Sequence, residues 1–360
     1  MTVEPAPATG VHPGAAVERR EATEPTGLDR GRSSGLDGLR FLASLFVVLF
    51  HVQSLTTVTF GPFDRFVMGG DTGIWLFFAL SGYLLYKPFL TKDVDLRTYA
   101  LKRSARIVPG YFVALIAVVL LTGSPLFLPH PLPYLTGTFT YNIPLRGFFG
   151  NAWTLSAEVL FYLSLPVLAK VARGRETAVL GGLAVASIVA SLLHRATMTQ
   201  ATEWFHGSYP TVFYAFVPGM LLAVLEVRRP DIFGRLSKSL YGVLGVVLPG
   251  LGSVSAVVPI PFGTLFGTPL VMGWLLQHQM PGARLLAFGG GASYALYLWH
   301  KDLLIAYGIP GLAIALVGAA LSWALVERPI LARAHALGDA WRLARRSAVP
   351  ALGVAGGRDG

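Results

Sequence analysis

Ten stretches of mostly apolar residues recur along the chain, at about 39–58, 72–90, 107–123, 151–170, 177–193, 209–227, 238–257, 260–277, 285–306 and 309–328. Each is long enough to cross a bilayer, since the hydrocarbon core needs about 20 residues of helix. Lipid offers no hydrogen-bond partner to an open backbone, so a chain built this way is confined to repeated helical crossings. The expected fold is therefore an all-α polytopic membrane protein with about ten transmembrane helices. Composition agrees: 53% of the residues are hydrophobic and 13% charged, where soluble domains carry about 25% charged residues.

Lysine and arginine give the orientation, because basic loops stay on the cytoplasmic side. With the N-terminus inside, all but four of the 29 basic residues fall in the tail or in alternate loops. The exceptions are Arg65, Arg146, Arg195 and Lys301. This partition predicts that both termini are cytoplasmic. Residues 1–34 are rich in Pro, Ala, Gly, Glu and Arg and lack the apolar core of a secretory signal, so a disordered cytoplasmic tail is expected there. Residues 35–330 form the expected membrane domain and 331–360 a basic cytoplasmic C-terminal tail, in a multi-pass protein of the cell membrane. The longest outer segment, 124–150, carries Pro and aromatic residues suited to lying on, or dipping into, the membrane surface.

The sequence also excludes several chemistries. It has no cysteine, which removes disulfides, thiolate metal sites, iron–sulfur clusters and an acyl-cysteine intermediate. The net charge of +10 does not indicate nucleic acid, because the charges punctuate apolar runs and form no basic patch interleaved with aromatics. No internal repeat supports an inverted-repeat transporter.

Ionisable residues inside the apolar stretches are the informative ones, since a charge at mid-bilayer costs about 2.5–3.5 kcal/mol on insertion scales. In GLDGLRFLASLFVVLFHVQ, Arg40 opens the first span and His51 follows eleven residues later. That separation is about 16 Å along a helix and brings both side chains to within about 20° of one direction. A single groove holding both is one reading; an anchoring arginine and a hydrogen-bonded packing histidine is the other. Glu158, in NAWTLSAEVLFYLSLP, lies about two turns below the outer surface, where it needs an ion pair or a function. Trp153 is its interface anchor, with Ser156, Tyr162 and Ser164 as polar neighbours. Asp71, at the outer entrance of the second span, either orients a histidine or caps its own helix. Deeper in that span Ser81 precedes Gly82, expected to admit a close helix, and Tyr83. Arg103 and Arg106 share one helical face at the cytoplasmic surface, a spacing suited to phosphate, to anionic lipid or to topology alone. In SYALYLWHKDLLIAYG, His300 is read as inward, with Lys301 and Asp302 paired or snorkelling near the surface.

Taken in order, GLDGLRFLASLFVVLFH, GIWLFFALSGYLL, RSARIVPGYF, WTLSAEVLFYLSLP and SYALYLWH, with a closing ERP at 327–329, resemble the acyltransferase family 3 membrane proteins. This group contains bacterial O-antigen acetylases and macrolide-sugar acyltransferases. The resemblance runs from about residue 35 to 330. It implies transfer of an acyl group, acetyl above all, from cytoplasmic acyl-CoA to a hydroxyl of a sugar-containing acceptor, with no permanently bound cofactor and no metal. It carries the essential pair to Arg40 and His51, the arginine motif to Arg103 and Arg106, and the acidic position to Glu158. Two positions depart from the pattern: Val159 stands where a second acid is frequent, and Asp302 where a proline is frequent.

The chemistry needs a base for the hydroxyl proton and a site for the donor's phosphates. His51 is the expected general base, oriented by Glu158 or Asp71, with a covalent acyl-His51 intermediate as the rival route. Arg40, Arg103 and Arg106 are the expected donor-binding residues. Ser81, Tyr83, Trp153, Ser156, Tyr162 and His300 complete the expected substrate-binding set. The opposing class is a polytopic transporter or flippase, which moves its substrate unaltered.

Overall fold

The computed structural model describes residues 27–197, 207–254, 262–278 and 283–347. Among these residues every regular element is helical, and eleven helices have 12 residues or more. They are α1 (Gly27–Leu55), α2 (Gly73–Thr91), α3 (Leu96–Thr122), α4 (Trp153–Ala172), α5 (Glu176–Thr197) and α6 (Val217–Arg228). The second half adds α7 (Ser239–Val254), α8 (Phe262–Leu275), α9 (Ala283–Tyr307), α10 (Ile309–Ser322) and α11 (Arg328–Ser347).

Six helical segments among the described residues are long and apolar enough to cross a membrane: Gly35–Leu55, Gly61–Thr91, Leu96–Thr122, Gly150–Ala172, Glu176–His194 and Ile309–Arg345. Tyr209–Ala215 and Val217–Arg228 make a seventh if read as one span bent by 42°. The bend falls beside Pro218, which cannot donate a backbone hydrogen bond to the preceding turn. The other three expected spans differ. The helices α7 and α8 are apolar but only 16 and 14 residues long, and the residues between them, 255–261, lie outside the described ones. At 25 residues α9 is long enough, but three consecutive glycines and the His300-Lys301-Asp302 run lower its hydropathy. Protein covers it, since it packs against α1, α3 and α10.

The ends of the membrane domain also depart from expectation. Helix α1 begins at Gly27, within the expected tail, whose residues 1–26 lie outside the described ones. The segment after 331 continues as helix to Ser347 and docks on the start of α3. There Lys102 pairs with Asp339 at 3.3 Å and Arg345 with Asp95 at 3.3 Å. Asp95 caps α3 by accepting from the Thr98 backbone N–H at 2.9 Å and its hydroxyl at 2.6 Å. Those hydrogen bonds hold the Asp95 carboxyl below the usual carboxylate range.

Small residues set the closest helix contacts. A Cβ on Gly82 would lie 2.1 Å from the Phe216 carbonyl oxygen, and one on Gly219 only 1.8 Å from that of Ala79, so α2 and α6 meet backbone to backbone as expected. On α9, a Cβ at Gly290 would lie 2.3 Å from the Asp37 carbonyl oxygen of α1. The segment 124–150 packs into the protein interior. Tyr134, Phe139, Leu145, Phe148 and Phe149 are buried in the main core. Five residues, Trp323–Glu327, join α10 to α11 as a π-helical turn.

Candidate active site

The contacts of α1 with α2 and α9, and of α9 with α3, surround a cavity of about 550 Å³, within the range of small-molecule sites. Three arginines reach it: Arg40 from α1, and Arg103 and Arg106 from α3. The sequence placed these three together and the fold does so. Their spacing explains the convergence, because residues three apart on α3 share a face, and α9 holds that face against α1 through its glycines.

Each guanidinium is held differently. Arg40 pairs with Asp37, one turn back, at 3.6 Å. Arg106 donates to the Gly291 carbonyl at 3.4 Å and lies over the rings of Tyr294 and Trp323, 5.7 and 5.5 Å from their centroids. Arg103 lies 5.9 Å from the Tyr162 ring centroid, and its buried Nε has no hydrogen-bond partner among the described residues. Aromatic faces steady a cation without neutralising it. Among the lining residues three guanidinium groups therefore face two carboxylates, Asp37 and Glu158, leaving capacity for an anion.

Glu158 projects from α4 into the same cavity. Its Oε1 accepts from Ser81 Oγ at 2.8 Å and from the Tyr162 hydroxyl. Its Oε2 has no hydrogen-bond partner among the described residues. Ser81, Glu158 and Tyr162 thus form one polar unit on the cavity wall, satisfying the expectation that so deep a carboxylate has partners.

His51 does not line this cavity. Its ring meets His300 of α9, 249 residues away, with centroids 5.0 Å apart and Nδ1 of His51 3.1 Å from Nε2 of His300. His51 Nδ1 also lies 3.0 Å from the Val47 carbonyl, and His300 Nδ1 lies 3.0 Å from that of Leu296. A carbonyl oxygen only accepts, so each neutral ring carries its proton on Nδ1. His300 Nε2 is then an acceptor for the His51 N–H, and His51 Nε2 keeps its lone pair with no partner among the described residues. Tyr297 bridges the two regions: it lines the cavity, and its ring centroid is 6.0 Å from that of His300.

The expected orientation of His51 by Glu158 or Asp71 is corrected by this geometry. Glu158 is engaged by Ser81 and Tyr162, and Asp71 is exposed in a short 3-10 turn, Gly69–Thr72, at the start of α2. The backbone of α1 and His300 take that part. Three expected substrate contacts also lie elsewhere. The Tyr83 hydroxyl donates to Glu226 at 2.7 Å, beside the Lys87–Glu226 ion pair. Ser156 bonds Thr140 and the Gly137 carbonyl of the outer segment. Trp153 stands edge-on to Phe78. Asp302, expected near the surface, is buried and accepts the Phe149 backbone N–H at 2.9 Å. Phe149 has φ 54°, a left-handed conformation that a side chain rarely adopts, and this carboxylate secures it.

Other residues enter the site unannounced by the sequence reading. Asp37, Tyr294, Tyr297 and His335 all line the cavity. Glu327, 2% exposed, accepts from Ser322 at 2.9 Å, and its Oε2 has no hydrogen-bond partner among the described residues. The signal for Glu327 was present, since it is an acid at the end of the last apolar stretch. The signal for Asp37 was its place one turn before Arg40. Among the described residues no cluster of His, Asp and Glu has the arrangement of a metal site.

A family model described as an acyltransferase domain matches residues 33–327. Among curated proteins the chain is similar to nodulation protein 10 of Rhizobium leguminosarum bv. viciae, with 28% identity covering 84% of this chain and 94% of that one. It is also similar to the peptidoglycan O-acetyltransferase OatA of Listeria monocytogenes, at 25% identity over 82% of this chain, which spans 55% of that protein. The exopolysaccharide production protein ExoZ of Rhizobium meliloti is 27% identical over 78% of this chain and 95% of its own length. No solved structure matches the chain.

Proposed function

The chain belongs to the membrane-embedded acyltransferase family whose model spans residues 33–327, and from that membership we propose that it moves an acyl group from acyl-CoA to a hydroxyl of a sugar-containing acceptor, with His51 as general base. That it is an O-acyltransferase follows from the family and from relatives named as O-acetyltransferases, and this decides against a transporter or flippase. The donor is a substrate and not a resident cofactor.

The observation that carries the proposal is that His51 Nδ1 is engaged by the Val47 carbonyl and His300 while Nε2 has no partner among the described residues. With Nδ1–H directed to Val47 and His300, Nε2 is the basic nitrogen, the state a general base needs at neutral pH. The acceptor hydroxyl gives its proton to Nε2 as its oxygen bonds to the thioester carbonyl carbon. The carbon–sulfur bond then breaks, and the proton passes to the departing thiolate, which leaves as free CoA. Arg40, Arg103 and Arg106 hold the donor's phosphates, and the pantetheine arm runs from them toward Tyr297. Glu158, with Oε1 fixed by Ser81 and Tyr162, offers Oε2 to a donor hydrogen of the substrate.

Arg103→Ala tests the donor site. Loss of one charge-assisted contact, worth about 1.5–3 kcal/mol, raises the KM for acyl-CoA about 10- to 100-fold with little change in kcat. Arg103→Lys restores it poorly, because an ammonium cannot reproduce the guanidinium fork. An unchanged KM with reduced expression assigns Arg103 to topology.

The full crossing pattern completes the reading. Ten crossings with both ends cytoplasmic comprise the six long segments, the bent pair, α7, α8 and α9. The division into an N-terminal tail, a membrane domain ending near 330 and a basic C-terminal part is read on the same basis. The chain has no native cysteine, so single cysteines report sidedness directly. An impermeant maleimide labels His130→Cys from outside intact cells and labels Gly174→Cys only after lysis. The reverse pattern rejects the orientation.

A further inference from the structure

A second cavity, of about 280 Å³, lies between α3, α4 and the inward-folded outer segment. Its lining holds no charged residue. Ile107 and Leu155 line this cavity and the arginine-lined one alike, so these two aliphatic side chains stand between the two. Leu135, Val108, Val159 and Leu160 form its far rim and are 45, 46, 38 and 37% exposed. They stand on or beside segments apolar enough to cross the membrane.

We propose that this side cavity takes the hydrocarbon chain of the acyl donor, making the enzyme competent for acyl groups longer than acetyl. The inference rests on the acyl-CoA reading above. The main cavity holds the arginines and Glu158, and Tyr297 on its wall adjoins the His300–His51 pair. A thioester carbonyl must stay there, while the chain beyond it gains by leaving for an apolar surface. That aliphatic partition selects the occupant: a single alkyl chain can displace two aliphatic side chains and lie between them, whereas a hydroxylated sugar would lose its hydrogen-bonding partners there and fits the main cavity instead. Acetyl is too short to reach past Ile107 and Leu155 and leaves the side cavity unused.

The test is competition against labelled acetyl-CoA on the full-length protein in nanodiscs, using unlabelled acetyl-, hexanoyl- and decanoyl-CoA. Hexanoyl- and decanoyl-CoA are expected to compete at least about tenfold more strongly than acetyl-CoA. Leu160→Trp, which fills the far rim, removes that advantage and leaves acetyl-CoA affinity unchanged. Val108→Trp, on the opposite wall, does the same and covers the case in which the first variant does not fold. Partition of long chains into lipid is common to all three proteins, so the difference between wild type and variant is the readout. Intact acetyl-CoA binding with the same chain-length profile in wild type and variants overturns the side cavity alone. Absence of binding by every CoA ester overturns the donor reading together with it.

Discussion

His51→Ala is expected to lower acyl transfer by about 10²- to 10⁴-fold, the usual contribution of a positioned general base, while acyl-CoA binding persists. His51 lies outside the arginine-lined cavity, and its ring is only partly buried between α1 and α9, so alanine leaves the phosphate contacts in place. Truncation leaves His300 Nε2 without its donor, and His300 is fully buried. An unsatisfied buried acceptor costs about 1–3 kcal/mol, so the variant is less stable but folded, as a monodisperse profile in detergent would establish. Transfer at the wild-type rate by such a protein removes His51 from the mechanism. Direct attack also predicts that no label stays on the protein after incubation with labelled acyl-CoA. A labelled His51 peptide would establish the two-step route through an acyl-histidine.

The second large effect is at Glu158. Glu158→Ala is expected to abolish transfer, and Glu158→Gln to reduce it at least about 100-fold while restoring the stability that alanine loses. Alanine strands the Ser81 and Tyr162 hydroxyls, both of which donate to Oε1. Glutamine keeps a carbonyl oxygen for them but lacks the negative charge and the second acceptor. The pair of variants separates packing from chemistry: a folded, inactive glutamine variant assigns the carboxylate to the reaction, and a fully active one makes Glu158 a brace for α2 and α4. Rates at saturating acyl-CoA, with melting temperatures of the purified proteins, provide both readouts.

Much of this arrangement was legible before the fold. Apolar length alone marks six segments of the structure, and the arginine pair on α3 was recognisable from its spacing. Arg40, Arg103 and Arg106 were expected at one donor site and do line one cavity, whereas Glu158, expected beside His51, joins the arginines instead. Contacts between distant helices were not legible. Helical periodicity puts Arg40 and His51 on one side of α1, but that side is divided along its length between the cavity and His300. No local rule joins residues 51 and 300. Asp302 was misread for a related reason. A carboxylate near a helix's outer end ordinarily seeks water, and only the infolding of 124–150 supplies the Phe149 N–H that holds it inside. The helices α7 and α8, 16 and 14 residues long, show the limit of apolar length as a guide, since each is too short by itself to match the stretch that announced it.

The turn at Trp323–Glu327 has a consequence for the phase of the last span. A π turn adds one residue to the winding, and one residue is about 100° of rotation. Before it, Leu316, Val317 and Leu321 point outward, 50, 61 and 53% exposed; after it, Leu331 and His335 line the cavity. One continuous rod thus shows a greasy side in its first half and a solute-facing side in its second. His335 meets the arginine-lined cavity because the winding slips by one residue there, a phase that no pattern of residue types along the span would reveal.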